Sequence, residues 1–247
     1  FARCDALLLT RDLAYVPPEE LEKVQLERAR LTGAPQEVKD AGDFDVVVVG
    51  AGSTGRGAAV AAARTGAKTA LVHDRPVLGG NASTELGVPT CGAARHDNAR
   101  EGGLNEEANL IRAKNGYPKM SEAYAIQAAG EKNLTVLNNS RVMGVELEGK
   151  AIRAVKSVNT LTLAPSRVRG KLFIDCTGDG WVGYYAGATY RFGRESRDEF
   201  GETAAPPKAD AITMSGCIMG NLSLAYRAEN TGHPVDYAPP AWALKLP

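Results

Sequence analysis

Hydrophobic and polar positions change their spacing near residue 44, and that change divides the chain. Residues 1–43 hold no sustained apolar period. "CDALLLT" has the length of a strand, and "PPEELEKVQLERARLTG" carries a helix start at Pro18 and a stop at Gly33. Its charges fall on most faces, which predicts a solvated helix or linker. From Asp45 the pattern becomes α/β. Asp45 to Val49 is a β-branched apolar run suited to a fully buried parallel strand. Thr54 to Thr65 is alanine-rich and helical, Gly66 stops it, and Thr69 to His73 reads as a second strand. "LTVLN" (Leu134 to Asn138) and "KLFID" (Lys171 to Asp175) are further short apolar runs for the same sheet. Between them, "RVMGVELEGKAIRAVKSVNTLTLAPSRVRG" alternates and turns at Glu148-Gly149-Lys150, predicting an antiparallel meander inserted into a parallel sheet. After residue 194 the text is loop-like, with "AAPPKAD" and "HPVDYAPPAW". Three regions are expected: an N-terminal linker and helix over 1–43, an α/β domain over 44–195, and the start of another domain over 196–247.

Composition narrows the class without naming it. Of 247 residues, 44% are hydrophobic and 23% charged, as in a soluble globular protein. With 29 basic against 29 acidic residues, net charge gives no reason to expect nucleic acid or an anionic membrane as partner. No apolar run approaches the roughly 20 residues of a membrane span. The cysteines, Cys4, Cys91, Cys176 and Cys217, form no CxxC pair. Free thiols and no metal site are expected. The compartment stays open: a reducing, cytoplasmic one is favoured over a secreted or periplasmic one.

The chemistry concentrates in "DVVVVGAGSTGRGAAVAAARTGAKTALVHDRPVLGGN". Gly50, Gly52 and Gly55 make GxGxxG directly between a strand and a helix. The first glycine permits the tight turn, the second lets backbone approach a pyrophosphate, and the third lets helix and strand pack closely. N–H groups at the helix start, around Ser53 and Thr54, would hold the phosphate charge. Ala59 and Gly66 are small where the helix must lie against the sheet. FAD and NAD use similar loops, so the second strand and the turn after it must decide. That turn holds Arg75, Gly79, Gly80, Asn81 and Ser83.

The order of strand, glycine loop, helix, strand and "LGG" resembles the glutathione-reductase-like FAD-binding Rossmann fold, a parallel sheet with an inserted antiparallel meander. Residues 44 to 240 more closely resemble the FAD-dependent oxidoreductase family related to the flavin subunit of heterodisulfide reductase. The matching words are "DVVVVGAGSTG", "RPVLGGNAST", "REGGLNEE", "LNNSRVMGVE" (which contains Val142), "FIDCTGDGWVGYYAGATYRFGRE" and "FGE". The resemblance implies FAD, with Val142 and the "TGDG" of Thr177, Gly178, Asp179 and Gly180 close to the nucleotide. It makes 44–195 the FAD-binding domain and 196–247 the start of a substrate or cap domain.

Two departures stand out. The pattern wants an acidic residue at the end of the second strand to accept from the adenosine ribose, and His73 falls there, with Asp74 one later. Neighbouring strand residues point to opposite sides, so both cannot serve; Asp74 is favoured, with His73 as the alternative. The clustered cysteines of the heterodisulfide reductase flavoproteins are missing, so flavin chemistry carries over and iron–sulfur chemistry does not.

The expected activity is a FAD-dependent oxidation or reduction of a small organic substrate, with flavin bound non-covalently. The rivals are an NAD-dependent dehydrogenase and a non-catalytic nucleotide-binding fragment or scaffold. "TCGAARHDNAREGG" (Thr90 to Gly103) holds the catalytic candidates. His96 would move a proton, and Arg95 and Arg100 would bind a carboxylate or offset reduced-flavin charge. Cys91 has no resolving cysteine nearby, while Glu106 and Glu107 suit a solvated helix start. Proteins of this fold return to the sheet through a later glycine-containing strand–helix turn. Thr203 to Pro247 shows none, and the chain begins with Phe1. It is therefore expected to be incomplete, its partners being a further C-terminal portion of the same protein or a second copy, besides the small substrate.

Overall fold

The computed structural model describes residues 8–35, 37–88, 103–116, 119–211, 231–234 and 236. Helix α1 (Leu21–Thr32) ends at Gly33 in the left-handed conformation, φ 71°, as the stop signal predicts. Strand β1 (Lys39–Val49), helix α2 (Ser53–Arg64) and strand β2 (Thr69–Val72) follow. Next come helices α3 (Leu104–Lys114) and α4 (Met120–Ala129) and strand β3 (Leu134–Leu137). The meander is β4 (Ser140–Glu148), β5 (Ala151–Asn159) and β6 (Pro165–Asp175), and short helices α5 (Trp181–Tyr185) and α6 (Arg197–Phe200) close the series.

One six-stranded sheet results, in the order β3-β2-β1-β6-β5-β4. β3, β2, β1 and β6 run parallel, while β5 is antiparallel to both β6 and β4. This is the expected arrangement of a parallel sheet carrying an antiparallel meander.

The structure corrects the reading of "KLFID" as a strand separate from the meander. β6 runs from Pro165 to Asp175, pairing with β5 through Arg169 and with β1 along its length. Gly170 does not break it. A Cβ there would stand 2.6 Å from Val47 Cγ2, so the glycine marks close packing against β1. β1 likewise begins at Lys39, in a stretch whose polarity reads as linker. Arg169 Nε donates to Asp43 Oδ1 at 2.6 Å, Arg169 also binds Asp40, and Lys171 Nζ meets Asp45 Oδ1 at 2.7 Å. Such exposed pairs each stabilise little, but opposite charges facing across neighbouring strands favour this register.

Alternation from Val46 to Val49 builds two cores. Phe44, Val47 and Val49 face a cluster with Val142, Val155, Val168 and Val182 from the meander and α5. Val46 and Val48 face Ala51, Ala59, Leu71, Leu78, Ala108, Tyr124 and Ala128, beneath the helices. Two compact units are separable, Phe1–Arg191 and Phe192–Pro247. Within the second, Arg194 and Asp210 exchange backbone hydrogen bonds of 3.2 and 3.1 Å, and their side chains pair. No described helix is long and apolar enough to cross a membrane.

Candidate nucleotide site

The three loop glycines meet three different demands. Gly50 has φ +93°, and a Cβ on it would stand 2.4 Å from the Cys176 carbonyl oxygen. Gly55 is closed by its own loop, since a Cβ there would fall 1.7 Å from the Gly50 carbonyl oxygen. Gly52 differs: nothing lies within 4 Å of where its Cβ would be. It is the N-cap of α2 in an extended conformation, with no side chain capping the helix. The first-turn N–H groups of Ser53, Thr54 and Gly55 have no intrahelical acceptor; the Arg56 N–H reaches back to the Gly52 oxygen at 3.0 Å. N–H groups without an intrahelical acceptor at the positive end of a helix, beside an open glycine, suit an anion.

A second loop forms the opposite wall. Gly79 donates its N–H to the Ala51 oxygen at 2.9 Å, and Gly52 and Gly79 form a parallel bridge. Gly79 has φ +121°, and a Cβ there would press on Tyr124 at 2.8 Å; one on Gly80 would reach Gly52 Cα at 3.0 Å. Both positions therefore require glycine. Ser83 is fully buried, and its Oγ accepts from the Glu85 N–H at 3.2 Å. Asn81 is exposed.

His73 and Asp74 separate as strand geometry requires. The His73 side chain is 4% exposed and Asp74's is 45% exposed. His73 Nδ1 accepts from the Ala51 N–H at 3.2 Å, and Nε2 lies 3.1 Å from the Val77 oxygen. Burial holds the imidazole pKa below its ordinary value, against the pull of Asp74. The Asp74 carboxylate stands beside the cradle with one oxygen 3.5 Å from Nδ1. Arg75 leans on Glu85 at 3.6 Å.

The "TGDG" loop is drawn to this place by the end of β6, just beyond which the Cys176 N–H binds the Val49 oxygen at 2.8 Å. Asp175 accepts from the Thr177 N–H and Oγ1 at 3.0 and 2.7 Å, and from the Gly183 N–H at 3.0 Å. Thr177 Oγ1 accepts in turn from the Trp181 N–H at 2.9 Å. Gly180 takes φ +68°, and Gly178 and Asp179 are exposed. Val142 lies in β4 with its side chain in the core, so its backbone is what it can offer a ligand. Burial pushes the Cys176 thiol pKa up, which favours the unreactive form.

Sequence reasoning missed Asp175, although an aspartate two residues before a threonine at a strand end is a turn-forming signal. It also missed Arg56, which is fully buried. Its position three and four residues before Ala59 and Val60 sets it on the inner face of α2. Its guanidinium lies 4.3 Å from the Tyr124 ring centre and donates to Gln127 and Asn105. Glu107, in the first turn of α3, meets Arg64 of α2 at 2.6 Å, and this pairing lowers its pKa. His96, Arg95, Arg100 and Cys91 lie outside the described residues.

The cradle fits FAD's pyrophosphate: open at Gly52, walled by two glycine turns, and lined by donors without a side chain filling it. A stretch of 54 residues, 22% of this chain, is 50% identical to the soluble pyridine nucleotide transhydrogenase of Ectopseudomonas mendocina and spans 11% of that protein. Over 141 residues the chain is 28% identical to a fumarate reductase (cytochrome) of Shewanella frigidimarina, covering 57% of this chain and 24% of the relative. The solved myxobacterial chondrochloren halogenase CndH, described as a variant of FAD-dependent halogenases, aligns over 62% of this chain and 41% of its own. Its TM-score is 0.46, at 14% identity. The family model described as FAD dependent oxidoreductase matches residues 45–243. FAD is therefore the cofactor, and the chain belongs to the FAD-dependent oxidoreductase family.

Proposed function

We propose that this chain holds FAD non-covalently with the pyrophosphate at the N-terminus of α2, as part of an enzyme that oxidises or reduces a small organic substrate. The observation that carries the reading is the space at Gly52, where a Cβ would meet nothing within 4 Å. The Ser53, Thr54 and Gly55 N–H groups take the phosphate oxygens, and Gly79, Gly80 and Asn81 form the opposite wall. Asp74 accepts from the adenosine ribose, with Arg75 beside it. Thr177, Gly178, Asp179 and Gly180 close the nucleotide from the β6 side, and Val142 contributes backbone. FAD supplies the two-electron chemistry once bound. Arg95 and Arg100 bind an anionic group of the substrate, and His96 holds or moves a proton. Residues 196–247 contribute to a substrate-facing cap.

The test is reconstitution with FAD followed by acid precipitation. A stoichiometric flavin spectrum, with the yellow colour released into the supernatant, supports the reading. Colour held in the pellet overturns non-covalent binding, and no uptake overturns the site. Turnover with an artificial electron acceptor separates an enzyme from a nucleotide-binding scaffold.

A further inference from the structure

His73 occupies the strand end where this fold usually presents its ribose acceptor, yet both of its ring nitrogens are already engaged. The Ala51 N–H can only donate, so Nδ1 must offer a lone pair at 3.2 Å. The ring proton is then on Nε2, pointing at the Val77 carbonyl oxygen 3.1 Å away. One neutral tautomer satisfies both contacts. Ala51 belongs to the glycine loop, and Val77 leads into the Gly79-Gly80 turn. The imidazole therefore ties together the two loops that wall the pyrophosphate cradle. At 4% exposure, water has little room to replace either bond.

We propose that His73 is a positioning clamp on the cofactor loops and that its protonation opens the clamp, so that the chain releases FAD in mildly acidic solution. This rests on the FAD reading above. A second ring proton would set an Nδ1–H against the Ala51 N–H, two donors facing each other. An acceptor for the new donor is Asp74 Oδ1, 3.5 Å away. Turning to it gives up the Ala51 bond and engages the carboxylate assigned to the ribose. Both losses act in the same direction. The charged groups around the ring are Asp74 and Glu85, which favour the cation, and Arg75, which opposes it; burial opposes it more strongly than any of them.

The experiment titrates the chain with FAD by flavin fluorescence from about pH 8 to about pH 5, a range that spans histidine ionisation. Wild type is compared with His73→Gln, whose amide can accept from Ala51 and donate to Val77 without titrating. Wild-type affinity should fall at least about tenfold across that range while helix content holds; one lost buried hydrogen bond is enough for such a drop. The glutamine variant should bind within about threefold of wild type at the upper pH and stay nearly flat. A wild type that binds but shows no acid loss, or a glutamine variant with the full acid loss, overturns the proposal. Nitrogen NMR of the imidazole in the wild-type chain decides the clamp independently of any variant. A neutral Nε2–H tautomer at about pH 8 supports it, and an Nδ1–H tautomer or a cation there refutes it. A chain with the predicted tautomer that takes up no FAD fails the functional reading instead.

Discussion

Replacing Gly52 by alanine separates a folding glycine from a binding one. The backbone at Gly52 has φ −65° and ψ −174°, where alanine sits without strain. Its new methyl would meet no protein atom within 4 Å. Alanine is a poorer helix N-cap than glycine, a cost of about 0.5–1 kcal/mol. Reduced freedom in the unfolded chain returns about 0.4–1 kcal/mol. The net effect on stability is close to zero, a shift in Tm of no more than about 4 °C for a chain of this length. Cofactor binding should respond very differently. A methyl in the cradle holds the pyrophosphate away from the first-turn N–H groups. One or two charge-assisted hydrogen bonds of about 1.5–3 kcal/mol each are then lost, and FAD affinity falls by at least about tenfold. Thermal melts by circular dichroism and FAD titration by fluorescence measure the two effects on the same sample. Gly55→Ala is the counterpart: its Cβ would lie 1.7 Å from the Gly50 oxygen, so it should lose the fold. A Gly52→Ala protein that binds FAD like wild type, or that unfolds like Gly55→Ala, refutes the division of roles.

Three further outcomes are expected. Asp74→Ala should weaken FAD at least about tenfold by removing a charge-assisted bond, with Tm unchanged because the side chain is 45% exposed; equal affinity in a fluorescence titration would remove Asp74 from the ribose. Arg56→Ala should cost about 2–4 kcal/mol in a urea melt, since it empties a packed site and leaves the Gln127 and Asn105 oxygens without their donor; a loss below about 1 kcal/mol would mean those amides find other partners. Burial lowers the folded-state pKa of His73, so the unfolded chain takes the proton first. Its contribution to stability is complete above about pH 6.5 and is lost as pH falls through the folded value, by at most about 1.4 kcal/mol per pH unit. Parallel Tm profiles for wild type and His73→Gln over that range would contradict this.

What could be read from the sequence follows the range of the forces involved. Val46 to Val49 is legible because a strand covered on both faces must be apolar throughout, whatever covers it. Lys39 to Phe44 is not, because its strand pairing is accompanied by charges on Arg167 and Arg169, distant in the chain and near only after β6 has paired. The glycine spacing announces a nucleotide loop, yet only the fold shows that Gly50 and Gly55 face backbone oxygens while Gly52 faces open space. Arg56 hides among alanines because its partners come from α3 and α4. The end of β2 is the most instructive case. Period-two geometry says that His73 and Asp74 cannot share a direction, but not which of them points inward. The Ala51 N–H and the Val77 oxygen decide it, and each needs a partner once buried. A carboxylate at His73 could accept from Ala51 but could not donate to Val77. An imidazole does both. The departure from the family's acidic pattern is thus consistent with the structure around it: the inward position serves the two loops, and the carboxylate is left one residue later, half exposed beside the cradle.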